Sequence, residues 1–136
     1  MSEAHATLNP LGVKPMTILI VWGALLWASG VLILRWLVSM DALHGTPQVL
    51  AYALTIAGTV PLIPLTPRLA GLPRSDTVSA IAVVSMTALL IDGIVIGYFP
   101  ALYSADPVQA RACAGALLWA VGVALALGFA MQPRTR

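Results

Sequence analysis

The sequence predicts an all-α membrane protein, a bundle of four transmembrane helices with its N-terminus and C-terminus in the cytoplasm. Three observations carry this. Four apolar runs each reach the roughly 20 residues that a spanning helix needs. Sixty per cent of the 136 residues are hydrophobic and only 9% are charged, against about 25% charged in an ordinary soluble domain. The few basic residues gather at one side of the runs, which sets orientation.

The spans are taken in order. The first covers about 16–40, from Met16 to Met40, and is uncharged until Arg35. The second covers about 47–66, opening on Thr46-Pro47, a capping residue followed by a proline whose missing N–H costs nothing there. The third covers about 77–99, interrupted only by Asp92, with Ser75 and Asp76 available as caps and Pro100 ending it. The fourth covers about 107–131, begins Asp106-Pro107-Val108-Gln109 in the pattern of a capping box, and carries Arg111 one turn in. None shows the polar face that a soluble helix repeats every 3.6 residues. The 136 residues form a single domain. Lys14, Arg68, Arg74, Arg134 and Arg136 fall on the cytoplasmic side, and Arg35 and Arg111 toward the other. No cleavable signal is evident: Glu3, Asn9, Pro10 and Pro15 precede a run longer than a signal-peptide core.

The inner end of the second span, Pro61-Leu62-Ile63-Pro64-Leu65-Thr66-Pro67, has prolines that remove intrahelical hydrogen bonds. It reads as a helix ending near the cytoplasmic surface; a hinge or broken helix of the transporter kind is the alternative.

Composition excludes several functions. The seven Lys and Arg are scattered singly, which does not make a nucleic-acid surface. Cys113 has no neighbour at metal-ligand spacing and reads as a small packing residue. His5 and His44 lie outside the apolar runs, badly placed as axial ligands of a haem. No phosphate loop, metal motif or nucleophile–base set is present. No cofactor or metal is expected, and the chain is not expected to be an enzyme.

Asp92 is the most informative residue. A carboxylate facing lipid at membrane depth costs about 2.5–3.5 kcal/mol on insertion scales, so it should face the bundle interior and find a partner or stay protonated. Arg35 and Arg111 lie in the same half of the membrane, with side chains long enough to reach. The expectation is that Asp92 pairs with one or both, as a structural ion pair or as part of a binding site.

A phrase is repeated. Gly23-Ala24-Leu25-Leu26-Trp27-Ala28-Ser29-Gly30-Val31 recurs as Gly115-Ala116-Leu117-Leu118-Trp119-Ala120-Val121-Gly122-Val123, matching at eight of nine positions. Small residues at such spacing let helices approach closely. Gly23, Trp27, Gly30, Gly115, Trp119 and Gly122 are therefore expected at helix contacts. Gly93 and Gly97 form a further close-packing pair. Both tryptophans fall near mid-membrane, where an indole N–H needs an acceptor. Tyr98, Phe99, Pro100 and Tyr103 read as an aromatic rim at the headgroups.

Trp27-Ala28-Ser29-Gly30 with Leu34-Arg35, then Leu89-Leu90-Ile91-Asp92-Gly93 with Phe99-Pro100-Ala101-Leu102-Tyr103, then Leu118-Trp119-Ala120-Val121-Gly122 together resemble a family of small four-helix bacterial integral membrane proteins of unknown function. The likeness spans most of the chain and departs at Val38-Ser39-Met40-Asp41. It implies a multi-pass protein of the bacterial inner membrane and supplies no activity. The functional expectation is a non-enzymatic accessory or binding subunit. Its partners would be the lipid bilayer and either itself or another membrane protein. The alternatives are a small oligomeric transporter or channel using Asp92, or a lipid- or quinone-binding protein.

Overall fold

The computed structural model describes residues 11–134; His5, Arg136 and, of the residues read for a signal, Glu3, Asn9 and Pro10 lie outside the described residues. Among the described residues five helices follow in order: α1 (Val13–Ser39), α2 (Gly45–Thr59), α3 (Leu62–Leu69), α4 (Thr77–Tyr98) and α5 (Pro107–Met131). Single 3-10 turns at Arg74–Asp76 and Pro100–Leu102 lead into and out of α4. Among the described residues there is no strand.

α1, α4 with its preceding turn, and α5 are each long and apolar enough to cross a membrane. α2 and α3 pass the same test only together, as a pair bent by 42°. The second apolar run therefore does not end as a helix near Thr66: it breaks and turns. Pro61 and Pro64 supply no N–H to the carbonyls four residues back, and the Ile63 N–H bonds the Val60 carbonyl instead, at 3.4 Å. Beyond the break, Thr66 is buried and accepts the Trp22 indole N–H at 3.2 Å, which holds α3 against α1. Gly71, at φ +69, closes α3, with the Leu72 N–H on the Pro67 carbonyl at 2.8 Å; this is the left-handed helix end that favours glycine.

The helix ends follow the sequence in part. Asp106 caps α5, its carboxylate accepting the Val108 N–H at 2.9 Å, but Gln109 does not complete a capping box and its Oε1 is buried without a donor. α2 begins at Gly45, ahead of the expected Thr46 cap. Asp76 precedes α4 without a side-chain cap; the Val78 N–H is met instead by Gln132 from beyond α5, at 2.9 Å.

α4 is the central element. It packs along α1 on one side and α5 on the other, with α3 across its first turns. α1 and α4 run parallel: Leu19 meets Ala80, Val83 and Val84, and Trp27 lies beside Asp92. α5 runs antiparallel to α4, with Gly128 beside Ile81. α2 rests mainly on α5 and has no buried residue of its own. The buried side chains form two groups. Leu19, Ala70, Ala80, Val83 and Val84 lie toward the α3 end. Val31, Leu34, Leu43, Tyr103 and Cys113 lie toward the end carrying residues 40–44 and 99–106, the distal end. Around them Leu32, Val49, Leu90, Val108, Leu118 and Phe129 are all more than half exposed, a surface whose natural solvent is hydrocarbon rather than water.

Candidate functional site

The site grows from the α1–α4 contact. Gly23 makes this contact possible: a Cβ there would lie 3.0 Å from both the Val84 carbonyl oxygen and the Thr87 Cβ. One turn on, Trp27 projects from α1 onto α4, and its indole N–H donates to Asp92 Oδ1 at 2.7 Å. Asp92 sits six residues before the end of α4, about 9 Å along the helix axis, and is only 4% exposed. The third member comes from the connection to α5. After Tyr98 the chain leaves the helix, and the turn Pro100–Leu102 folds it back so that Tyr103 points inward. Tyr103 is buried, donates its O–H to the same Asp92 Oδ1 and accepts a second branch of the Trp27 N–H at 3.2 Å. Burial first, and then the neighbouring Asp92 carboxyl, raises Tyr103 above the ordinary tyrosine range, so it remains a hydrogen-bond donor at neutral pH.

Two donors thus converge on one carboxyl oxygen. The other, Oδ2, is buried and has no hydrogen-bond partner. The expected ion pair is not formed. Arg35 is exposed and donates to the Leu102 carbonyl at 3.1 Å. Arg111 is exposed and lines a crevice of about 400 Å3 between α4 and α5, of which Tyr103 forms one wall. The reason is the inward turn of Tyr103: with the Trp27 indole it occupies the space over Asp92 that a guanidinium would need. Among the described residues the one pairing of an acid with a basic side chain is His44 with Asp41 at 3.2 Å, both largely exposed.

The repeated phrase is used at both of its tryptophans. Gly115 lies against Tyr52 of α2, where a Cβ would be 3.4 Å from the Tyr52 Oη. Trp119 stacks on the Tyr52 ring at 5.3 Å between centroids and donates its N–H to the Tyr52 carbonyl at 3.1 Å. The other glycines expected at contacts are not at them: a Cβ on Gly30, Gly93, Gly97 or Gly122 would meet nothing within 4 Å. These positions face outward, so their spacing reflects composition rather than packing within this chain.

Tyr103 is the site residue that sequence reasoning missed. It was grouped with Tyr98 and Phe99, which are indeed exposed. The signal available was Pro100, which breaks the helix and frees the residues after it to turn inward. Among the described residues no three His, Cys, Asp or Glu side chains converge as a metal site would require. Comparison with protein-family models, with curated proteins and with solved structures returned no match.

Proposed function

We propose that the chain is a four-span protein of the bacterial inner membrane, with the bent α2–α3 pair as one span, acting as a non-enzymatic accessory or binding subunit. Lys14, Arg68, Arg74 and Arg134 favour a cytoplasmic location for both termini and for the loop before α4, with the distal end outside. The resemblance to small bacterial four-helix proteins accords with this reading. The observation that carries it is the Asp92 cluster. Its two donors come from α1 and from the α4–α5 connection, so the carboxyl ties three segments together, and its geometry suits a lock on the bundle rather than a group on an ion path.

A flux assay tests this. Proteoliposomes enclosing a pH-sensitive dye should acidify no faster under a proton gradient than empty vesicles. Asp92→Asn should leave that rate unchanged while lowering thermal stability in detergent. Wild-type flux above the empty-vesicle rate that Asp92→Asn abolishes would overturn the reading in favour of a proton-coupled transporter.

A further inference from the structure

α2 leans on α5 and leaves a groove between itself and α1. Its volume is about 410 Å3, within the range of small-molecule sites. Its wall is mostly apolar, built by Ile33, Leu34, Leu37, Leu54 and Leu62, and the Thr55 and Thr59 hydroxyls donate to the Ala51 and Thr55 carbonyls of their own helix. Whatever part of a ligand lies here is apolar. A second cavity of about 200 Å3 lies at the distal end, and Leu43 lines both. Both floors lie on one helix. Val108 and Ala112 underlie the distal cavity, and Ala116 and Ala120 underlie the groove. At a spacing of four residues these form one stripe along α5, about 18 Å long.

The two parts differ in chemistry. The distal cavity is lined by the Asp41 and Asp106 carboxylates, by His44 held on Asp41, and by Gln109, whose buried Oε1 has no donor. The cations of this end are elsewhere, Arg35 on the Leu102 carbonyl and Arg111 in the α4–α5 crevice. An apolar slot thus lies next to a mouth lined by acids and an unmet acceptor, with Leu43 between them. Size favours a chain over a helix as the occupant: a helix about 10 Å across takes up on the order of 1,400 Å3 over 18 Å, more than twice the two cavities together.

We infer that the α1–α2 groove binds one apolar chain of a membrane lipid whose headgroup ends in an ammonium, with the ammonium in the Asp41–Asp106 mouth. This rests on the part of that reading that places the chain in a bilayer, and not on the role given to Asp92.

Native mass spectrometry from a neutral maltoside detergent tests it, with equal amounts of phosphatidylethanolamine and phosphatidylglycerol of identical chains. Wild type should retain the ethanolamine lipid about fivefold more, the scale of one or two exposed ion pairs. Asp41→Asn with Asp106→Asn should abolish the preference; Asn keeps a capping oxygen at position 106 and tolerates the φ of +56 found at position 41. Gly58→Leu should remove retention of both lipids, because Gly58 lines the groove and has open space around it. Unchanged thermal stability of Gly58→Leu would show that it folds. If that variant is unstable, Ala116→Leu blocks the same groove from α5. Equal retention of the two lipids by wild type, a preference that survives the double substitution, or retention that survives a folded groove-filling variant would each overturn the inference. The flux assay judges the parent reading separately: absence of both flux and lipid preference overturns this inference alone.

Discussion

Tyr103→Phe deletes one oxygen from the Asp92 cluster and nothing else. The ring still fills its place beside Val31, Leu34, Leu43 and Cys113. What is lost is the O–H donated to Asp92 Oδ1, together with the acceptor for the second branch of the Trp27 N–H. A buried hydrogen bond to a carboxylate contributes about 1.5–3 kcal/mol. Because Asp92 is 4% exposed and its Oδ2 already lacks a partner, little water is at hand to replace the lost donor, and the upper half of that range applies. At about 3–6 °C per kcal/mol, between the scales for smaller and larger domains, thermal unfolding in detergent should fall by about 7–18 °C. The assay is tryptophan fluorescence on heating. The same substitution in an Asp92→Ala background should cost at least 1 kcal/mol less, because the acceptor is already gone. A loss below about 0.5 kcal/mol, or equal losses in both backgrounds, would refute the account of the cluster. Arg35→Gln and Arg111→Gln serve as controls. Either one matching the Tyr103→Phe loss would restore the ion pair to Asp92.

Two further predictions follow from other contacts. Gly23→Ala should destabilise by about 1–3 kcal/mol, because its Cβ would meet the Val84 backbone and the Thr87 Cβ at 3.0 Å; Gly30→Ala, into open space, should be neutral or stabilising by up to about 1 kcal/mol, and equal effects in parallel thermal unfolding would contradict the packing described. For pH, Tyr103 lies higher in the folded protein than its ordinary 10.0, so the folded state holds this proton more tightly. Its contribution is complete below about pH 10 and is lost as pH rises toward the folded-state value. Wild-type stability should therefore fall above about pH 10 more steeply than that of Tyr103→Phe, and superimposable curves would count against it.

The long apolar runs were legible because hydrophobicity and length act locally. The start of α4 at Thr77 and the bounds of α5 coincide with the expected ones, and Asp106 caps α5 as its spacing implied. The break of the second run was visible in Pro61 and Pro64, but whether such a run ends or turns depends on a partner for the next segment. That partner is Trp22, through Thr66, a pairing across 44 residues that no local pattern contains. The Asp92 site divides in the same way. That the carboxyl would be buried followed from solvation alone. Which side chains meet it depended on the turn at Pro100–Leu102, and charge counting favoured the arginines. An indole and a phenol, which carry no charge, took their place.

The repeated phrase gains its meaning from the same comparison. Its two glycine–tryptophan pairs, Gly23 with Trp27 and Gly115 with Trp119, perform one operation on different partners. The glycine admits a neighbouring helix, and the tryptophan one turn later donates its N–H to it, to Asp92 on α4 in one case and to the Tyr52 carbonyl on α2 in the other. In hydrocarbon, apolar faces gain nothing by leaving solvent, so a directed hydrogen bond and close backbone approach must set register. The two uses differ in strength. α1 gains an acceptor that α4 buries, and the two helices pack along much of their length. α5 gains a carbonyl on a helix with no buried residue, beside a groove that the chain leaves open. The firm pair is the frame, and α2 is the element with room to move when the groove is filled.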